Sequence, residues 1–172
     1  MTQLPWHNYA GESADDLLAL STTHRADSLV VAFETALGQK AASLGTSALS
    51  QPELDVLAIE ALEREVNNGG YGQFFLNSSN EFAATVVDAL QRIGCPATAS
   101  ITQRALDALP RGALTPESLS AAMEQDDPSR DKRLEECDQA YSSAREDIAT
   151  ALLRYLIDQR ESIKLLNRRG TI

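Results

Sequence analysis

Glu65 is the carboxylate with the most chemistry open to it. At 100° per residue, Leu54, Ala58, Ala61 and Leu62 cluster on one side of a helix and Glu65 falls among them, while Glu53, Glu60 and Glu63 point to the opposite side. Glu65 is therefore expected to be buried, and the other three to share an outer face. A buried carboxylate must be paired or hydrogen-bonded, because an unsatisfied one costs several kcal/mol. The expected donors are the backbone N–H groups of the Asn67 to Gly72 turn or the amide side chains there. Such a group is either a general base or a brace for the turn. The brace is preferred, since no partner chemistry surrounds it. The amides Asn67, Asn68, Gln73 and Asn77 stand among Tyr71, Phe74 and Phe75. They either line a polar pocket with aromatic walls or satisfy backbone at a helix break, and the second reading leads.

Other catalytic patterns are missing from the sequence. His7 lies in an N-terminal arm and His24 in an interhelix turn, neither at metal-ligand spacing from a Cys, His or carboxylate. No Glu-x-x-His pair occurs. Gly69-Gly70-Tyr71-Gly72 lacks the Lys-Ser/Thr of a phosphate loop, and Ser78 and Ser79 lack a nucleophile elbow. The expectation is a protein without catalysis, metal or cofactor. Cys95 and Cys137 are expected to be two reduced, buried thiols.

The elements that position these residues are helical. Ser13 with Asp16, and Ser50 with Glu53, have capping-box spacing, and Ser78 with Glu81 repeats it. Thr115-Pro116 and Asp127-Pro128 read as caps followed by a first-turn proline. Asn67-Asn68-Gly69-Gly70 stops one helix, Gly94 stops another, and Pro96 opens the next. Leu134, Cys137, Tyr141, Ala144, Ile148, Leu152 and Tyr155 predict one long helix from Pro128 to Leu165. No period-2 pattern persists. The fold class is all-α, a compact bundle of six to eight helices with a long C-terminal helix. Residues 1–49 read as a helical arm packed on a domain of residues 50–172. The cations Lys164, Arg168 and Arg169 read as a frayed tail that ends the last helix favourably.

The chain has 172 residues, 25 Asp and Glu against 15 Lys and Arg, and a formal net charge of -10. That balance argues against direct nucleic-acid binding, which needs clustered cations. The longest clean apolar run, Leu29 to Phe33, is far short of a membrane span, and the first twelve residues have no secretory pattern. Cytosol is the expected compartment.

The run Glu65-Val66-Asn67-Asn68-Gly69-Gly70-Tyr71-Gly72-Gln73-Phe74-Phe75-Leu76-Asn77-Ser78 resembles the signature of the bacterial DNA-mimic-protein (nineteen) type C-terminal domain family. Asp88-Ala89-Leu90-Gln91-Arg92-Ile93-Gly94-Cys95 resembles a second segment of that family, with Cys95 in place of the usual Ala. The resemblance is strong from Glu65 to Pro110 and looser from Ser50 to about Glu161. It implies an all-helical fold. For the named member it implies a dimer that imitates duplex DNA and occupies a transcription factor's DNA-binding surface. The signature is amide, glycine and aromatic, so it implies fold more than function.

Mimicry rests on charge. Asp127, Asp131, Glu135 and Asp138 fall within roughly 80° on an ideal helix and span about 16 Å, comparable to several phosphates of one strand. Glu124 and Asp126 extend the stripe, and Glu53, Glu60 and Glu63 add a second acidic face. Arg130, Lys132 and Arg133 sit among these acids and dilute the field. The expected function is that of a non-catalytic acidic protein-binding module, a dimer whose partner is a basic DNA-binding protein. The alternatives are a small-molecule or enzymatic domain built on Glu65, Asn67, Asn68, Gln73 and Asn77, or a toxin-neutralising protein.

Overall fold

The computed structural model describes residues 3–112, 114–166 and 170, and among them every regular element is helical. Eight α-helices follow in order: α1 (Ala14–Ala19), α2 (Ala26–Leu44), α3 (Gln51–Leu76), α4 (Val86–Arg92), α5 (Pro96–Leu106), α6 (Pro116–Met123), α7 (Pro128–Ser143) and α8 (Ile148–Asp158). Short 3-10 turns precede α2, α3 and α4 and follow α8. No helix is long and apolar enough to cross a membrane among the described residues.

Side-chain caps explain several helix starts. Ser13 accepts from the Asp16 N–H, and Asp16 reciprocates. Thr115 does the same with Ser118, and Asp127 accepts from the Ser129 and Arg130 N–H groups. Each satisfies donors that the first helical turn leaves open. Ser78 to Phe82 forms a 3-10 turn rather than the start of the following helix, which begins at Val86.

Contacts divide the chain into two compact units, Met1–Glu60 with Asp147–Ile172, and Ala61–Glu146. The division does not fall after Leu49, because α2 packs against α8. The N-terminal arm thus shares a core with the C-terminal helix.

In the terminal unit the polar centre is Glu53. It is fully buried, as is Lys40, whose Nζ lies 2.8 and 2.7 Å from the two carboxylate oxygens. The Ser50 and Lys164 N–H groups also donate to Glu53, each at 2.8 Å. Buried Asp55 accepts from the Tyr155 hydroxyl and the Gln51 amide. Ile163 and Leu165 are buried, so the chain after α8 is docked rather than frayed. Arg168 and Arg169 lie outside the described residues.

In the central unit α5 packs on α4 and α7. The single long C-terminal helix of the sequence reading is two helices, broken between Ser143 and Ile148. The break has a use. Glu146 accepts the Ala97 and Thr98 N–H groups at 2.9 and 2.8 Å and the Thr98 hydroxyl at 2.7 Å, capping α5 from a distance. Burial raises the Glu146 carboxyl, but these bonds outweigh it and hold the group below its ordinary value. Asp147 then caps α8 through the Thr150 N–H. Cys95 and Cys137 are both buried, as expected.

Candidate functional site

The signature segment folds around two carboxylates. Glu65 is buried, and its oxygens accept from the Gln73 amide at 2.7 Å, the Asn77 amide at 2.8 Å and the Ser79 hydroxyl at 3.0 Å. The Arg64 guanidinium stands 3.8 Å away. Burial alone would raise this carboxyl; the three hydrogen bonds and the Arg64 charge hold it below the usual value instead. That is the bracing role: Glu65 ties the end of one helical stretch to the start and end of the next. A carboxylate that accepts three hydrogen bonds and whose basicity is lowered is poorly suited to take a proton from a substrate.

The second carboxylate is Asp138 of α7. Helix α3 is interrupted at Gly69 and Gly70, which leave helical geometry, with Gly70 at φ 78°. The Tyr71 N–H that starts the second stretch donates to Asp138 Oδ1 at 2.8 Å. A Cβ on Gly70 would stand 2.3 Å from Asp138 Oδ2, so only glycine lets the carboxylate reach the turn. Gly69 leaves room for the Gln73 side chain to fold back towards Glu65. Burial raises the Asp138 carboxyl, the Tyr71 N–H opposes the rise, and neighbouring Glu135 adds to it.

The remaining signature residues serve the core. Tyr71, Phe74 and Phe75 are fully buried, with Tyr71 stacked on Phe75 and set edge-on to Tyr141. The Tyr71 hydroxyl lies 2.7 Å from Thr102 Oγ1. Asn67 donates to the Glu63 carbonyl, and Asn68 is exposed. Beside Asn77 there is a shallow depression of about 370 Å³, reached by Leu76, Asn80, Pro116 and Ser120 but not by Gln73. It is not the closed pocket with aromatic walls that the small-molecule alternative calls for.

Ser79, Asn80, Thr102 and the capping role of Asp138 were not legible beforehand. Asn80 is buried and donates to the Phe75 carbonyl at 2.9 Å. Asp138 carried a usable signal: it lies four residues after Leu134 and three before Tyr141, at the edge of the apolar stripe.

A family model described as DMP19-like protein matches residues 47–160, two thirds of the chain. The chain belongs to the DMP19-like protein family. The match runs over the same stretch, Ser50 to about Glu161, as the sequence resemblance. No curated protein and no solved structure matches the chain. In this DMP19-like chain the Glu65–Ser78 segment turns α3 at Gly69-Gly70, and Glu65 and Asp138 hold the turn.

The acidic residues of this DMP19-like chain divide sharply. Glu53 is fully buried and paired with Lys40, and Glu60 is buried too; neither belongs to an outer face. Glu63 is half-buried. The physical reason is that α3 is covered on most sides: Val56, Ala58, Ile59, Ala61 and Leu62 are buried along with Glu53 and Asp55. An apolar stripe marks only the most apolar side of such a helix. Asp138 is also withdrawn from any partner surface by its bond to Tyr71, and Asp127 is occupied as the α7 cap.

On the α6–α7 surface Glu124, Asp126, Asp131 and Glu135 remain exposed. Two of the three cations among them bind main-chain carbonyls, and one of these also pairs with Asp131. Arg130 is buried, and its guanidinium donates to the Ala122 carbonyl and to Asp131. Arg133 donates to the carbonyls of Asp107 and Ala108 just past α5. Lys132 is exposed.

Glu63 carries a pH prediction. Burial pushes its carboxyl up to about 7 from an ordinary 4.5. Folding therefore takes up a proton between those values. The associated stability is fully present below pH 4.5 and is lost as pH rises through 7. Stability is expected to fall by roughly 2 kcal/mol from pH 5 to pH 8, and Glu63→Gln to flatten that slope. Urea midpoints across the range measure it; an equal slope in the variant contradicts the assignment.

Proposed function

We propose that the chain is a non-catalytic binding module, working in the cytosol as a homodimer, whose α6–α7 surface engages a basic protein. The most concrete partner is the DNA-binding face of a transcription regulator, which the carboxylates would occupy in place of phosphates. The observation that carries this reading is the fate of the two arginines inside the stripe. Arg133 spends its guanidinium group on main-chain carbonyls, and Arg130 divides its own between the Ala122 carbonyl and Asp131, while Glu124, Asp126 and Glu135 stay exposed. Asp131 and Glu135 are one helical turn apart, about 6 Å along the axis. The net charge of -10 supports a protein partner over nucleic acid itself. The three hydrogen bonds that Glu65 accepts support a structural rather than catalytic use of this segment.

The test begins with capture of partners from the native cytosol, followed by binding of the purified partner. Reversing Glu124, Asp126 and Glu135 to Lys is expected to weaken binding on the order of 100-fold, with helicity unchanged. The wild-type affinity is expected to fall as salt rises, and operator DNA to compete. Unchanged affinity after reversal removes this surface from the reading. A captured toxin with no DNA-binding activity redirects the function to neutralisation.

A further inference from the structure

We infer that the depression beside Asn80 is a seat for an arginine side chain of a basic partner protein. The deciding atom is the Asn80 side-chain oxygen. Asn80 is 2% exposed, and its Nδ2 donates to the Phe75 carbonyl at 2.9 Å, the Pro116 carbonyl at 3.3 Å and Ser120 Oγ at 3.2 Å. Reversing the amide would set its oxygen against two carbonyl oxygens, so the orientation is fixed. Oδ1 is thereby left buried with no partner among the described residues. A buried acceptor without a donor costs free energy that a ligand's N–H can recover. Asn80 lines the depression of about 370 Å³ together with Leu76, Asn77, Ser78, Pro116, Glu117 and Ser120.

The rest of the lining selects a cation. The Asn77 Nδ2 is committed to Glu65, so what Asn77 has left to offer is its oxygen. Glu117 is exposed and brings a full negative charge. With both Nδ2 groups engaged, only the Ser78 and Ser120 hydroxyls can donate among the lining side chains. A guanidinium carries five N–H donors, one positive charge and no acceptor, which matches such a lining. Its methylene stem suits Leu76, which is 52% exposed. Pro116 and Ser120 both meet Asn80, so the seat lies along the flank of α6 and not over its positive end. Oδ1 is shielded from solvent, and a small shift of the lining side chains, with exposed Leu76 the freest, admits a donor. Glu117 and Glu124 stand about 10 Å apart along α6. A partner anchored by one arginine here would bring its neighbouring cations to Glu124 and Asp126. The seat thus rests on the reading of the α6–α7 surface as one for a basic protein, and gives that protein a single anchoring side chain.

The test uses the isotope-labelled full chain and N-acetyl-L-arginine amide as the probe, so it needs no captured partner. Saturable NMR shifts of the Asn80 side-chain amide and the Glu117 backbone N–H are expected in the millimolar range. The uncharged citrulline analogue is expected to bind about tenfold more weakly, and Glu117→Gln to weaken arginine binding about tenfold. Asn80→Ala is expected to abolish it; should that variant not fold, Glu117→Gln and the citrulline arm decide. No saturable response at Asn80 overturns the inference. So does binding that neither citrulline nor Glu117→Gln weakens, or a response confined to the α7 carboxylates. A seat that takes arginine, while reversal of Glu124, Asp126 and Glu135 leaves partner binding unchanged, supports the seat and sinks the acidic stripe instead. A seat that fails beside a salt-sensitive partner removes the anchor and leaves the stripe.

Discussion

Gly70→Ala is expected to destabilise the protein by about 3–5 kcal/mol, from a cost of about 1–3 kcal/mol for a backbone region open essentially to glycine alone and a lost charge-assisted bond of about 2 kcal/mol. Gly70 sits at φ 78°, and a Cβ there would meet the Asp138 carboxylate at 2.3 Å. The carboxylate would have to leave the Tyr71 N–H, which then opens a helical stretch without a cap. The same substitution in an Asp138→Ala background is expected to cost only the backbone share. A double-mutant cycle by urea unfolding should return a coupling of about 2 kcal/mol. Additive losses would mean that glycine and carboxylate do not act together.

Lys40→Met is expected to cost about 3–5 kcal/mol, because it strands a buried carboxylate. Glu53 would keep only the Ser50 and Lys164 N–H groups, without a compensating charge. Glu53→Gln added to Lys40→Met removes the stranded charge while keeping an acceptor for those N–H groups. The double variant is expected to regain a good part of the loss. Denaturant midpoints of the three proteins decide it. A cost below about 1 kcal/mol for Lys40→Met would show that water reaches Glu53.

Local rules carried the sequence reading where both partners lie within a few residues. The Ser13–Asp16 box, the Thr115 and Asp127 caps and the Gly69-Gly70 stop depend only on nearby backbone. Burial of Glu65 follows from its place on the apolar side of α3, but its donors are Gln73, Asn77 and Ser79 rather than the groups of the Asn67 to Gly72 turn. The failures have a common cause, a partner far away in sequence. Nothing between Ser143 and Ile148 is a proline or glycine, so the α7–α8 break was invisible; Glu146 is drawn out by the start of α5, 48 and 49 residues earlier. The sequence places Asp138 on the surface because nothing near it in the chain signals Tyr71, 67 residues away. Glu53 was placed outside because Lys40 and the chain near Lys164 were not known to close over it.

The terminal unit is assembled from the two ends of the chain, whereas the central unit is one uninterrupted stretch. On a ribosome, residues 61–146 can complete their core as soon as they emerge. The first sixty residues cannot: α2 lacks α8, and Glu53 lacks the Lys164 N–H, until the last part has been made. At about 5–20 residues per second that delay lasts roughly 5–20 s. Throughout it the apolar side of α2, including Leu29, Phe33 and Leu37, is the surface that a chaperone would find first.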